Sequence, residues 1–440
     1  MKHTLTSENI NKSKGTVLIL GAGLAGLSAA SYLSSGGYKT IILESSGKPG
    51  GRAYSFTDKD TGSVIDNGQH IMMGCYKYTL DFFNKIGAEK NFKIQDNLAV
   101  NFLKRGKKIH TLKSVSSLYP LNLFIGLIRY TALKFTDRFR LLKIFFKLYL
   151  YSSRDLEKMS VDEWLTNENQ SAGIKKAFWE ILAVGALNTS IKKASAKMFA
   201  DILKQMFFRG NKSASIVLPV SGLSESYCGN AISFINKNGG EISFYETVTS
   251  LEFSRNKLSA VCTSKRKITD FDYVISALPL YALKRILSSE KQFAFPELEY
   301  SSILSMHLWL NNNTLKEKFY GLIDSPVHWV FNHNKYITIV ISDADKLVFK
   351  SREELYCLIS NELDKYLGIK QEDISSYKVI KEKRATFIPS NAILKHRPGP
   401  ETAYRNFLLA GDWTNTGLPA TIEGAVKSGV FAGNHILKNT

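Results

Sequence analysis

Three glycines, Gly21, Gly23 and Gly26, follow the apolar run Thr16 to Leu20 and lead into the helix-like stretch LSAASYLSS. A GxGxxG turn between a strand and a helix suits one task, the holding of a dinucleotide pyrophosphate. Glycine at 21 permits the tight turn, glycine at 23 lets backbone approach phosphate oxygens, and glycine at 26 lets the helix lie close on the strand. The amino end of the helix adds unpaired N–H groups and a positive dipole end. A second β-type run, Tyr38 to Leu43, ends at Glu44, 18 positions after Gly26. That is near the roughly 20 residues expected before a carboxylate that accepts hydrogen bonds from ribose hydroxyls, and a carboxylate there disfavours a 2′-phosphate.

Gly50, Gly51 and Arg52 come next. In isolation they read as an ordinary surface turn, but this GGR resembles the second glycine motif of the FAD-dependent amine oxidase and phytoene desaturase superfamily, which implies FAD as the cofactor. Near the carboxyl end, Asn406 to Leu409 is a short apolar run followed by Gly411, Asp412 and Trp413 and then by TNTGLPATIEGAVKSG. A strand, a turn and a helix capped by Asp412 would account for it. It also resembles the closing FAD motif of the same superfamily. On that resemblance Gly411 allows close approach, Asp412 accepts hydrogen bonds from the ribityl or phosphate region, and the helix starting near Thr421, with Ile422 and Glu423 in its first turn, aims its positive end at the flavin. Between these motifs, a helix ending at Gly239 and Gly240 precedes two β-type runs, ISFYETVTSLEF and DYVISALP. The resemblance puts the Val248 backbone at the adenine, Ala277 to Pro279 near the cofactor, and Ala25 with the first glycine turn.

The phrase Asp66-Asn67-Gly68-Gln69-His70, with Gly74 and Cys75 after it, the stretch Ser215 to Tyr227, and the phrase GDWTNTGLPATIEGAVKSG resemble a narrower family. This is hydroxysqualene dehydroxylase, also described as the squalene-associated FAD-dependent desaturases of bacterial hopanoid and sterol pathways. The resemblance implies reduction of an allylic alcohol, hydroxysqualene, to squalene with loss of water, the electrons passing through FAD from an external donor. It sets Gly68, Gln69, His70 and Glu423 at the flavin, with His70 and Glu423 as candidates to hydrogen-bond or protonate the leaving hydroxyl. A histidine of this kind also serves as a structural hydrogen-bonding residue, and Glu423 could cap a helix or bond the flavin. Two alternatives stay open: an isoprenoid desaturase of the phytoene type, running flavin chemistry in the opposite direction, and a nonenzymatic flavin-binding or membrane-scaffold protein.

These residues need scaffolding. A chain of 440 residues, 44% hydrophobic, can bury two cores. The expected fold is α/β: a Rossmann-type FAD-binding domain from 15–91, 207–278 and 386–440, interwoven with an α+β substrate domain from 92–206 and 279–385 whose apolar cavity faces the flavin. HLWL (His307 to Leu310) and HWVF (His328 to Phe331) could line that cavity or be ordinary core.

The balance of 58 basic against 39 acidic residues, formally +19, points to an anionic partner. From Tyr119 to Tyr151, Arg129, Lys134, Arg138, Arg140, Lys143 and Lys147 interleave with leucine, isoleucine and phenylalanine. An interfacial helix pair on an anionic membrane surface fits this pattern, and so does a buried hairpin with a solvated basic face. Nucleic acid is not expected, because no recognised module accompanies the charge. The four cysteines stand apart without a CxxC pair, so neither a metal site nor a disulfide framework is indicated. The uncharged run Gly15 to Tyr38 is too rich in glycine and serine for a membrane span. Met1 to Lys14 is polar, unlike a secretory peptide. A cytoplasmic protein held on the inner face of the membrane is expected. No second GxGxxG marks a domain for a reducing nicotinamide.

Overall fold

The computed structural model describes residues 13–115, 119–287 and 292–439, so most of the polar opening stretch lies outside the described residues. Strand β1 (Thr16–Leu20) lies at the middle of a five-stranded parallel sheet. Its neighbours are β2 (Lys39–Leu43) and Tyr273–Ser276, with Glu241–Ser243 and Phe407–Leu409 at the edges. Val17 to Leu20 are fully buried, as both faces of such a strand are covered by other elements. Helix α1 (Leu24–Ser35) connects β1 to β2 and packs on the terminal helix Ile422–Lys438 through small residues. The approach is so close that a Cβ at Gly429 would sit 2.1 Å from the Ala25 carbonyl oxygen. The last helix of the described residues thus locks onto α1.

The run ISFYETVTSLEF is two strands rather than one. Glu241–Ser243 joins the parallel sheet, the chain turns at Tyr245 (φ 54), and Val248–Ser254 enters a separate antiparallel sheet. Buried Glu246 fixes the break, its carboxylate accepting from Arg266 and from Thr263.

The second sheet has seven strands in the order Ile374–Phe387, Tyr300–Leu310, Tyr336–Ile341, Trp329–Asn332, Phe319–Leu322, Ala99–Lys104, Lys108–Lys113. Side chains alternate across it with the period of two that a pleated strand imposes. Ile337, Ile339 and Ile341 pack with Leu355, Ile359 and Leu363 of the helix Arg352–Leu367, whereas Val340 faces a helical lobe built from residues 121–207.

That lobe contains α3 (Leu121–Arg129) and α4 (Phe135–Lys147). Each helix is two-sided. Leu123, Leu127, Leu141 and Phe145 are core, whereas Leu121, Phe135, Phe139 and Phe146 are more than half exposed, followed by Leu150 at 81%. The expected basic face is only partly free. Arg138 is tied to the carbonyls of Ile128 and Leu133, Arg140 pairs with Asp137, and Lys147 pairs with Glu168 at 2.8 Å. Arg129, Lys134 and Lys143 remain exposed. Among the described residues no helix is long and apolar enough to cross a membrane.

Candidate active site

A cavity of about 640 Å³ opens where the carboxyl ends of the parallel strands face the seven-stranded sheet, the place where open α/β sheets hold ligands. Gly21, Gly23, Ala25, Glu44 and Val248 line it, as do Gly51 and Arg52. Gly68, Gln69, His70, Gly411, Asp412 and Ile422 also border it. Gly26 and Glu423 do not. Gly26 serves packing, since a Cβ there would fall 2.0 Å from the Gly21 carbonyl oxygen.

The two glycine motifs lie side by side. The Gly50 N–H donates to the Ala22 carbonyl at 2.9 Å, and a Cβ on Gly51 would come 3.1 Å from the Gly23 Cα. A Cβ on Gly23 would meet only the Gly51 Cα, at 3.9 Å, so a longer side chain would project into the cavity. Bare backbone beside the unpaired N–H groups that open α1 makes a cradle suited to phosphate. Glu44 braces it, one carboxylate oxygen accepting from the Ala22 N–H and the other from the Ser46 N–H, both at 2.8 Å.

Arg52 joins the amino-terminal motifs to the carboxyl-terminal one. Its guanidinium meets the Asp412 carboxylate at 2.5 Å and donates to the Ala385 carbonyl at 2.9 Å. Asn67 ties in the next motif by donating to the Arg52 carbonyl at 2.8 Å. Behind the closing motif lies Arg397, only 5% exposed, which donates to the carbonyls of Asp412, Trp413, Thr414 and Leu418. Burial lowers its pKa to about 10, which leaves it cationic at neutral pH. This residue stands in the phrase HRPGP, and an arginine before a Pro-Gly-Pro turn was the one sequence signal of its role.

His70 lines the cavity with its ring fixed by a 2.7 Å contact between Nδ1 and the Gly68 carbonyl. A carbonyl can only accept, so Nδ1 carries the proton and Nε2 of the neutral ring is an acceptor. Burial holds the pKa of His70 below its ordinary value. Glu423 takes a different place from the one expected at the flavin. Its carboxylate, 4% exposed, accepts from the backbone N–H groups of Tyr78 and Thr79 and from the Thr79 hydroxyl, at 3.0, 2.8 and 2.7 Å. It thereby caps α2 (Lys77–Lys85), whose own cap residue Tyr76 supplies no side-chain acceptor. Burial raises its pKa despite these donors.

The rest of the wall comes from the seven-stranded sheet and the helix Glu180–Leu187. Ile303, Trp329, Phe331 and Val340 make it apolar. HWVF therefore reaches the cavity, whereas His307 of HLWL is buried in the sheet, between the Thr338 hydroxyl and the Asp66 carbonyl. Asn188, Ser342 and Thr386 also line the cavity. Nothing local in the sequence singles them out, because tertiary packing of a helix end against two strands brings them together. Among the described residues no cluster of histidine, cysteine or carboxylate side chains is arranged to hold a metal.

Comparison with known proteins agrees with this geometry. The profile of the flavin containing amine oxidoreductase family matches residues 24–437. The chain is 28% identical to a hydroxysqualene dehydroxylase of Zymomonas mobilis subsp. mobilis, over 96% of this chain and 99% of the other. It is 23% identical to the zeta-carotene desaturase of Solanum lycopersicum, over 98% of this chain and 82% of that one. Its fold matches that of a putative protoporphyrinogen oxidase from Exiguobacterium sp. 255-15, with a TM-score of 0.69 at 15% identity, over 97% of this chain and all of that one. Both the parallel-sheet cofactor fold and FAD as the group it holds follow.

Proposed function

The chain belongs to the flavin containing amine oxidoreductase family, and from that premise we propose that this FAD-dependent oxidoreductase reduces hydroxysqualene to squalene. The observation that carries the reading is one cavity in which the FAD motifs meet an apolar wall of Ile303, Trp329, Phe331 and Val340. The chain around it is similar from end to end to hydroxysqualene dehydroxylases.

In this reading the glycine turns and the α1 amino end take the pyrophosphate, and Glu44 and Val248 take the adenosine half. Gly411, Asp412 and Arg52 would hold the ribityl chain, and Gly68, Gln69, His70 and Ile422 would hold the ring. FAD, when bound and reduced by an external two-electron donor, would supply the hydride that replaces the hydroxyl on the allylic carbon as the C–O bond breaks, and a proton from solvent would let the oxygen leave as water. The chain's own part is to exclude water with the apolar wall and to orient the hydroxyl. His70, which lines the cavity with Nε2 as an acceptor, would accept from the substrate's hydroxyl. Glu423 acts at one remove, by fixing α2 and Tyr76. The ridge of Leu121, Phe135, Phe139 and Phe146, with exposed Arg129, Lys134 and Lys143 beside it, suits peripheral attachment to the anionic inner face of a membrane, where a C30 substrate resides.

An anaerobic single-turnover assay tests the reading: photoreduced enzyme is mixed with hydroxysqualene, and flavin reoxidation and product identity are followed. Squalene formed with reoxidation supports it. Recovery of the alcohol beside reduced flavin, together with bleaching of oxidised enzyme by phytoene, favours the desaturase instead.

A further inference from the structure

The cavity wall built by the seven-stranded sheet and the helix Glu180–Leu187 is interrupted by a small polar group. Asn188 ends that helix in the left-handed region (φ 48), which asparagine tolerates better than most residues. Its side chain, in a residue 5% exposed, is held at both ends. Oδ1 accepts from the Asp343 N–H at 2.9 Å, and Nδ2 donates to the Thr386 Oγ1 at 2.9 Å. Since Oδ1 faces a backbone donor, the orientation of the amide is settled, and Thr386 is the acceptor in the second bond. The hydroxyl proton of Thr386 therefore stays uncommitted, with no acceptor for it among the described residues. Ser342, next to Asp343, is alike: its N–H donates to His328, and its hydroxyl has no partner among the described residues.

Two O–H groups thus face a cavity whose neighbouring wall is hydrocarbon. Glu382, four residues before Thr386 on the same strand, also reaches the cavity, and as a carboxylate it can only accept. The group borders the cofactor motifs, because Ala385, beside Thr386, has its carbonyl bound by Arg52, the partner of Asp412. We propose that Thr386 and Ser342 form the seat for the oxygen of an alcohol substrate, that Asn188 is the positioning residue that keeps the Thr386 proton pointed at it, and that this seat selects an alcohol over the hydrocarbon of the same skeleton. The inference rests on the dehydroxylase reading and names what that reading leaves open, the donors to the leaving oxygen. A neutral His70 offers that oxygen only an acceptor, so donors must come from elsewhere in the cavity. A hydrocarbon leaves both hydroxyls unpaired, and a site made to hydrogen-bond a hydroxyl discriminates against an analogue that lacks it.

The test titrates hydroxysqualene and squalene against the full-length FAD-loaded protein, reading the flavin absorbance change, with single turnover measured in parallel. The wild type is expected to bind the alcohol about tenfold or more tighter than the hydrocarbon. Thr386→Val with Ser342→Ala should bring that ratio close to one by weakening the alcohol alone, and Thr386→Ser should retain it. Asn188→Asp is the sharper variant. The new carboxylate can still accept from Asp343 but cannot donate, so it draws the Thr386 proton away from the cavity, and the ratio should fall as it does in Thr386→Val. An unchanged ratio in the double variant, or no preference in the wild type, overturns the seat. An unchanged ratio in Asn188→Asp overturns the positioning role. A wild type that prefers the alcohol in this variant-dependent way but forms no squalene keeps the seat and sinks the dehydroxylase reading. One that forms squalene with no variant effect does the reverse.

Discussion

The guanidinium of Arg52 and the carboxylate of Asp412, 360 positions apart, meet at 2.5 Å and close the cofactor cavity across the chain's two ends. The Asp412 side chain is 8% exposed and that of Arg52 38%. Deleting the arginine strands a nearly buried anion, whereas deleting the aspartate strands a cation that water still reaches. Arg52→Met is therefore expected to weaken FAD binding by about 10- to 100-fold, and Asp412→Asn by less. Fluorescence of FAD released on dilution measures both. The double variant should lose less than the sum of the two, since one interaction is removed in each. Strict additivity would mean that the pair does not couple the motifs.

Gly23 and Gly26 differ although both belong to one fingerprint. A side chain at 23 points into the cavity, so Gly23→Val should yield a folded but colourless protein. A side chain at 26 meets the Gly21 carbonyl, so Gly26→Val should lose the fold itself. Circular dichroism beside the flavin absorbance separates the two cases, and a yellow Gly23→Val protein would remove phosphate approach as the role of that glycine.

These contrasts mark where the sequence was legible. GxGxxG carries its chemistry in adjacent residues and GGR and GDW carry a family resemblance, so the parallel sheet and the FAD could be anticipated, whereas the pairing of Arg52 with Asp412 could not. Glu423 could not be placed, because its direction depends on α2 lying against the terminal helix. Asn188, Ser342 and Thr386 were invisible for a related reason: a helix cap and the ends of two strands, far apart in the chain, are joined through the hydrogen bonds of Asn188 to Asp343 and Thr386. The helix pair after Tyr119 fell between two readings, since its periodicity reports a buried face and cannot tell what covers the other.

Glu423 and His70 should separate in their effects. Glu423→Gln keeps one acceptor oxygen and turns its amide NH2 toward the donor that the other oxygen served, Tyr78 or Thr79, so unfolding free energy should drop by about 1–3 kcal/mol. Turnover per folded flavin should change little. His70→Phe should do the opposite, keeping the melting temperature near that of the wild type and lowering turnover. Thermal unfolding and single-turnover rates on the same preparations decide it. Full stability in Glu423→Gln would mean that the cap of α2 is not what this carboxylate provides.

Acid should weaken the fold through His307. Burial lowers its pKa to about 4 from an ordinary 6.5, and its Nε2–H donates to the Asp66 carbonyl while Nδ1 accepts from Thr338. A pKa depressed in the folded state means that the unfolded chain binds more protons between the two values. The contribution is then whole above about pH 6.5 and shrinks as pH falls toward 4, by on the order of 3 kcal/mol at most. The difference in unfolding free energy between wild type and His307→Gln should therefore narrow on acidification. A gap independent of pH would show that His307 does not titrate in this range.

Membrane attachment should depend on the aromatic ridge more than on most of the cations. Arg138, Arg140 and Lys147 have intramolecular partners, so neutralising them would disturb α3 and α4 as well as any contact with headgroups. Phe135, Phe139 and Phe146 of α4 are 52–67% exposed, and replacing them by serine removes apolar area while keeping Leu141 and Phe145 on its core side, at the cost of the stacking of Phe146 on Phe124. At about 1 kcal/mol for each partly inserted ring, the triple variant should bind anionic liposomes about 100-fold more weakly. Lys143→Gln should cost the order of 1 kcal/mol, and added salt should reduce only that electrostatic part. Sedimentation with vesicles of mixed anionic and neutral lipid reads both effects, with the flavin spectrum as the check on folding. Triple-variant protein that sediments like the wild type would assign the ridge to something other than a lipid surface.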